Sequence, residues 1–219
     1  MEKAFKGKTV VLTAGPTYEP IDPVRFIGNH STGKMGYALA ECFASRGAQV
    51  KLVAGPTNLQ AQHEGITVIP VMTADEMYAA VKQLAPAADI WVFAAAVADY
   101  KPKVVADRKI KKAGAELTIE LVKNVDIAAV LGKEKREDQF AVGFALETDN
   151  EDSNAREKLL KKNLNMIVLN SLNDPGAGFK HDTNKITIIE KDTTTAFELK
   201  HKSEVAQDIV NLIWERLYV

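Results

Sequence analysis

The feature that most constrains this chain is a repeating one: short apolar runs rich in β-branched residues, separated by stretches of helical spacing. "KTVVLTA" (8–14), "AQVKLVAGP" (48–56), "ITVIPV" (66–71) and "FAVGFALET" (140–148) are such runs. "ADIWVFAAAVADY" (88–100) reads as a longer, continuous apolar strand that ends on small residues. Runs that are apolar on both faces suit strands of a parallel sheet covered on each side. Between them, "KMGYALAECFASRG" sets Met35, Ala38, Leu39, Cys42 and Phe43 at helical spacing, and Gly47 stops it. "TADEMYAAVKQLAP" starts with Thr73 as an N-cap and has Glu76 three positions on, a capping box. The alternation predicts an α/β chain, a Rossmann-like doubly wound and mostly parallel sheet.

The second half departs from that rhythm. Residues 101–125 hold a basic run and an alternating strand with Leu117, Ile119 and Leu121, read as an insertion that pairs outside the main sheet. "EDSNAREKLLKKNL" is an amphipathic helix with a basic end, and "NMIVLNSL" a strand. "DPGAGFKHDTN" is a loop, "KITIIEKDTTTAFELKHKS" a C-terminal hairpin, and "EVAQDIVNLIWERL" a closing helix. The helix puts Val205, Ile209, Leu212, Ile213 and Trp214 on one face. No repeat or low-complexity linker divides the 219 residues, so a single domain is expected.

Composition removes several classes of function. No apolar run reaches the roughly 18 residues that span a bilayer, and the N-terminus lacks a signal-peptide pattern. A single cysteine, Cys42, excludes an internal disulfide and a cysteine-based zinc site, which fits a reducing cytoplasm. The net charge of −1 supplies no global field for nucleic acid. Any anion site has to be assembled locally.

"GNHSTGKMG" (28–36) is where such a site is expected. Gly28 to Lys34 fits the front of a phosphate loop, but Met35 stands where a Mg²⁺-binding hydroxyl is needed. The preceding strand also ends more than a dozen residues earlier. No G-x-G-x-x-G is present, and "KLVAGPT" closes the second strand without an acidic ribose reader. What is left is a helix N-terminus with unpaired N–H groups, glycines, and the hydroxyls of Ser31 and Thr32. That can be an ordinary N-cap or an anion cradle. The long proline-stiffened loop before it, "GPTYEPIDPVRFIGN", favours a ligand-serving role.

These stretches occur in one order with "AAAVADYKPK", "KIKK", "GFALET" and "KLLKKNLNMIVLN". Together, from about Lys8 to Trp214, they closely resemble the bacterial phosphopantothenate–cysteine ligase family. That family is the synthetase part of the coenzyme A biosynthesis bifunctional protein. The resemblance implies that 4′-phosphopantothenate and L-cysteine are joined through an acyl-cytidylate made from CTP, with Mg²⁺ and loss of pyrophosphate. It implies a homodimer, with the 101–125 insertion or the late hairpin at the interface. In longer relatives it implies a fused phosphopantothenoylcysteine decarboxylase domain. By the same resemblance Lys109 acts on the triphosphate in the first step, while Asn29 and Arg25 serve the second. Segment 101–112 becomes a flap over the site, with Lys111 and Lys112 left as solvated charge. Gly15, Ser31, Thr32, Gly33 and Lys34 are placed at the nucleotide. So are Ala94, Ala95, Asp99, Asp126, Ile127, Phe144, Lys158 and Lys162. Asp99 is also the proposed Mg²⁺ contact. Val125 stands where relatives often carry proline. His30 is read as a loop donor and Cys42 as an inert core thiol. Two other readings are a nicotinamide-dependent reductase and a non-catalytic nucleotide-binding protein.

Overall fold

The computed structural model describes residues 3–111, 114–147, 149–171 and 181–219, so Lys112, Thr148 and residues 174–180 of the late loop lie outside them. The first apolar run is β1 (Thr9–Ala14). β2 (Tyr18–Pro20) and β3 (Phe26–Gly28) pair as a small hairpin. Then come α1 (Lys34–Ser45), β4 (Gln49–Ala54), β5 (Ile66–Pro70), α2 (Ala74–Leu84) and β6 (Ile90–Phe93). β7 (Tyr100–Pro102) pairs antiparallel with β8 (Leu121–Lys123). α3 (Ile127–Glu134), β9 (Phe140–Glu147), α4 (Glu151–Lys161) and β10 (Met166–Ser171) follow. β11 (Thr183–Asn184), β12 (Ile186–Ile189), β13 (Thr194–Ala196), β14 (Lys200–His201) and α5 (Lys202–Tyr218) finish the chain.

One eight-stranded sheet runs β13-β12-β10-β9-β6-β1-β4-β5. From β10 to β5 it is parallel, and the β12–β13 hairpin extends one edge antiparallel. Alternation along β1 sends Val10, Leu12 and Ala14 to the layer under α1 and α5. Val11 goes to the layer under α2, α3 and α4. Leu39 and Phe43 of α1 and Ile209 and Ile213 of α5 are fully buried there. Each such side chain contributes roughly 1.5–3 kcal/mol. The Thr73–Glu76 capping box forms as the sequence predicts, and α5 opens with another built by His201 and Glu204. Among the described residues no helix is long and apolar enough to cross a membrane.

Four expectations are corrected. The strand read over 88–100 is only β6, because beyond Phe93 the neighbouring ladders stop and Thr13 Oγ1 takes the Ala95 N–H. The loop read over 15–32 contains the β2–β3 hairpin, turned at Ile21–Arg25 by an Ile21 N–H bond to the Arg25 carbonyl. The alternating strand around 117–121 begins only at Leu121, since Leu117 is exposed and has no layer to bury in. α3 is an additional helix, started by Asp126, whose Oδ1 accepts from Ala129 N.

One buried carboxylate ties the early loop to the insertion. Asp22 accepts from the backbone N–H groups of Val24, Arg25 and Ile110 and from the Arg25 guanidinium. Arg25 in turn donates to the Ile110 carbonyl at 3.0 Å. The guanidinium, and then the backbone donors, hold the Asp22 carboxyl well below the usual carboxylate range against the opposing effect of burial. A depressed carboxylate stabilises the fold fully above its ordinary pKa of about 3.9 and loses that contribution only as pH falls through the lower folded value.

Two outcomes are expected. Asp22→Asn should speed amide exchange at Ile110 at neutral pH, read by hydrogen exchange, because a donating amide replaces an acceptor that serves this N–H. Gly132 sits where an added Cβ would lie 1.8 Å from the Lys162 carbonyl oxygen. Gly132→Ala gains about 1 kcal/mol of helix propensity and loses about 1–3 kcal/mol to overpacking against backbone. The balance should lower the denaturant midpoint; an unchanged midpoint would show that α3 and the end of α4 can separate freely.

Candidate active site

The sheet order reverses between β1 and β6, and ligands of open α/β sheets sit outside the strand ends at such a point. Here the two exits are joined. Ala96 N donates to the Gly15 carbonyl at 2.9 Å and Thr17 N to the Ala96 carbonyl at 3.3 Å. Ala98 N donates to Thr17 Oγ1 at 3.0 Å, and Asn29 Nδ2 to the Ala96 carbonyl at 2.8 Å. Thr13 and Thr17 are buried, so their hydroxyls serve this seam.

Two cavities open on either side of the seam. The larger, about 500 Å³, is lined by Asp99, Lys123, Asn124, Asp126, Lys158 and Lys162, among others. The smaller, about 360 Å³, lies at the start of α1 and includes Asn29, Ser31, Lys34, Asn170, Asn184 and Lys202. Ala95, Val97, Asp99 and Phe144 belong to both walls. Phe144 comes from β9 and is half-buried, which leaves its ring partly open at the junction.

In the larger cavity two lysines are held by carboxylates. Lys162 Nζ lies 2.9 Å from Asp126 Oδ2, and Lys158 pairs with Glu147. Lys158 is in the last turn of α4 and Lys162 is its C-cap. Asn124 Nδ2 donates to the Ala98 carbonyl, while its Oδ1 is buried with no donor among the described residues. Asp99 is exposed at the junction, its carbonyl accepting from Asn124 N.

The smaller cavity has a buried lysine. Lys202 is 6% exposed, and its Nζ donates to the His181 carbonyl at 2.6 Å. Burial, and then the positive charge of Lys34, push its pKa below the usual lysine range. Lys34 pairs with Asp182 at 2.6 Å, which lowers the Asp182 carboxyl. Gly33 caps α1 with φ +79°, a conformation that favours glycine, and no side chain caps the first turn.

The sequence candidates divide between these places. Asn29, Ser31, Thr32, Gly33, Lys34 and Ala94 line the smaller cavity. Asp126, Ile127, Lys158 and Lys162 line the larger, and Ala95, Asp99 and Phe144 line both. Gly15, Arg25 and Lys109 line neither. Gly15 supports Gly33 from below, its Cα 3.4 Å from where a Gly33 Cβ would be. Arg25 is spent on Asp22 and Ile110, and Lys109 is exposed beside Ile110. His30 is exposed; Cys42 packs against the core, with its thiol pushed up by burial. Sequence reasoning missed Lys123, Asn124, Asn170, Asn184 and Lys202. Asn170 carried a usable signal, since it lies near the carboxyl end of a parallel strand. Lys202 lies in "KHKS" at the end of the segment read as a hairpin, where no motif marks it.

Comparison with known proteins follows the same lines. The family model described as DNA/pantothenate metabolism flavoprotein C-terminal domain matches residues 5–217. A relative named cysteine/cysteine sulfinic acid decarboxylase, from an unknown prokaryotic organism, is 54% identical over 97% of this chain and 59% of its own. The coenzyme A biosynthesis bifunctional protein CoaBC of Haemophilus influenzae is 47% identical over 97% of this chain and 52% of its own. That of Bacillus subtilis is 51% identical over 86% and 46%. The chain spans about half the length of the curated relatives it matches. The crystal structure of a CoaBC C-terminal domain is 42% identical, with a TM-score of 0.84, and covers 99% of this chain and 98% of that one. A Cab2 mutant in complex with phosphopantothenate-cysteine shares the fold, with a TM-score of 0.77 at 17% identity over 96% and 87% of the two chains. With a family model running over residues 5–217 and a CoaBC C-terminal domain matching nearly end to end, the chain belongs to the DNA/pantothenate metabolism flavoprotein C-terminal domain family, which includes the phosphopantothenate–cysteine ligase domain of coenzyme A biosynthesis proteins.

Proposed function

We propose that this chain joins 4′-phosphopantothenate to L-cysteine in two steps, using CTP. The observation that carries this reading is a pair of cavities with a common wall at the switch point, in a chain of this family. A two-substrate activation needs that arrangement. The nucleotide takes the larger cavity, and the acid takes the smaller. Their reacting atoms meet at Asp99 and Phe144. A carboxylate oxygen of the acid attacks the α-phosphorus of CTP, and the bond to pyrophosphate breaks. The amine of cysteine then attacks the acyl carbon, CMP leaves, and the amide loses a proton.

Charge explains the residues. Phosphates and a carboxylate crowded together repel, so preplaced cations and N–H donors have to offset them. Lys158 and Lys162 serve the CTP phosphates, giving up part of their present pairing with Glu147 and Asp126. Among the described residues no three His, Cys, Asp or Glu side chains form a metal cluster. Mg²⁺ commonly uses one or two carboxylates plus substrate phosphates, so the single Asp99 carboxylate fits it. Bound there, Mg²⁺ supplies further neutralisation of phosphate charge. Asn29 gives its N–H to Ala96, which leaves its carbonyl oxygen to accept from the incoming amine. Arg25 acts through Asp22 by fixing the segment that carries Lys109, and Lys109 reaches the triphosphate when that segment folds inward. A homodimer is part of the proposal. Exposed Val24, Phe26, Val104 and Val105 supply an apolar surface for it, drawn together by the Ala106 N–H bond to the Ile21 carbonyl. In the longer chain, a decarboxylase domain fused to this one would act on the product. Residues 3–219 hold the groups proposed for the ligation.

Three outcomes test the reading. Pyrophosphate release should require both CTP and 4′-phosphopantothenate; release that ignores the acid would refute the ligase assignment. Lys162→Met should raise KM for CTP about ten- to hundredfold, the loss of one charge-assisted contact worth roughly 1.5–3 kcal/mol. Asn29→Asp should keep a burst of pyrophosphate while slowing product formation about 10²-fold, with acyl-cytidylate trapped on quenching. If no intermediate accumulates, Asn29 does not serve the second step.

A further inference from the structure

The insertion begins and ends at one pair of residues, Asp99 and Asn124, and both line the larger cavity. Ala98 and Asp99 run directly into β7, and Asn124 follows directly on β8, where Tyr100 is paired with Lys123. Asn124 closes the ribbon at this root. Its backbone N–H donates to the Asp99 carbonyl and its Nδ2 to the Ala98 carbonyl, both at 2.8 Å. From the other side Thr17 Oγ1 accepts from Ala98 N at 3.0 Å. The backbone on which Asp99 stands is thus held by two separate segments, while Asp99 itself is exposed. Two residues past Asn124, Asp126 caps α3 and pairs with Lys162 Nζ at 2.9 Å. That pair lines the same cavity.

The bond from Asn124 Nδ2 has a cost. It fixes which end of the amide faces Ala98, and the other end, Oδ1, is buried with no donor among the described residues. A buried acceptor without a partner is unfavourable, and a leucine of nearly the same shape would avoid it. What the amide supplies in return is its hold on the carbonyl just before Asp99. Mg²⁺ demands near-ideal octahedral geometry, so a carboxylate that meets it has to be placed beforehand. A backbone held at both carbonyls leaves only the Asp99 side-chain rotations to order when the ion arrives. Groups that stand behind a metal ligand typically govern roughly 10- to 100-fold of metal affinity.

Resting on the ligase reading above, we infer that Asn124 is a positioning residue. It locks Asp99 to the root of the β7–β8 ribbon, so that the carboxylate and the Asp126–Lys162 pair keep a fixed spacing across the phosphates of the nucleotide. Asn124 acts through Asp99 and does not itself bind the metal.

The test reads binding without turnover. The dissociation constant of CTP is measured by calorimetry in Mg²⁺ and in EDTA, with no acid present. In the unmodified protein Mg²⁺ should tighten CTP binding. Asn124→Ala should cancel about tenfold of that gain and leave the metal-free dissociation constant within about twofold. Asp99→Ala should remove most of the gain, and adding Asn124→Ala to it should change little further, because residues that act through one another are not additive. Asn124→Leu fills the same space without the orphaned acceptor and should show the same loss; it decides the matter if Asn124→Ala does not fold. A matching loss in metal-free CTP binding, or a full loss on top of Asp99→Ala, would overturn the assignment of Asn124. So would CTP binding that ignores Mg²⁺ in the unmodified protein. Acid-dependent pyrophosphate release, and with it the ligase reading, would survive each of these results. A protein that binds no CTP in either condition would bring down both.

Discussion

The site depends on the seam between Gly15–Thr17 and Ala95–Ala98. Two parallel strands that wind in opposite directions leave a cleft at their carboxyl ends, and nothing in sheet hydrogen bonding holds it open or closed. This chain fixes it with side-chain and backbone bonds that continue the ladder without its strands: Thr13 Oγ1 to Ala95, Gly15 to Ala96, Ala96 to Thr17, Thr17 Oγ1 to Ala98. The residues after β6 are small because the α1 loop passes close to them. Asn29 joins the same carbonyl at Ala96, so its side chain is oriented by the seam that shapes both cavities. A shift of the seam would move the wall between the two cavities and the amide proposed to meet the amine together.

Four of the lysines around the cavities already have a partner. Lys34, Lys158 and Lys162 each have a carboxylate partner, and Lys202 has a carbonyl. Such pairing suits a protein with a net charge of −1 that must receive several phosphates. The carboxylates keep the lysines in place while the cavity holds water, and incoming phosphate competes for charge that is already positioned. The exposed Lys34–Asp182 pair contributes little by itself, about 0–1 kcal/mol, so exchanging its partner for a phosphate costs little. Lys202 differs from these pairs because its ammonium is buried. Positioned charge of that kind strengthens an electrostatic contact that bulk water would otherwise weaken.

The fold was legible where local chemistry and global packing agree. β1 and β9 are buried on both faces, and the capping box at Thr73 marks α2 to the residue. The reading failed where apolar sequence met no surface to cover. "WVFAAAVAD" continues as apolar composition, yet its ladder ends with its neighbours at Phe93. α3 was hidden by its length of 8 residues and a mixed "VLGKE" end. Most of the candidate site came from the family resemblance, and of those residues all but Gly15, Arg25 and Lys109 line one or both cavities. Lys202 and Asn184 were not legible, because the β11–β14 pair and the start of α5 bring them to Asn170 from separate segments. No periodicity marks a lysine whose burial is set by elements far from it in sequence.

The insertion raises a question of geometry that the paired cavities help to answer. Lys109 is exposed and outside both cavities, although its neighbour Ile110 is fixed at both its N–H and its carbonyl. A segment meant only to be mobile would not need a buried aspartate with five donors at its root. The clamp at Asp22 and Arg25 makes better sense as a hinge anchor, with Ile110 fixed and Lys109 moving about it. Closure then costs the rotation of a few side chains and backbone angles near one point, where a free loop would have to lose the entropy of the whole segment. Arg25 contributes to catalysis in this scheme without reaching substrate, by keeping the pivot of the lysine where a closing motion brings it to the nucleotide.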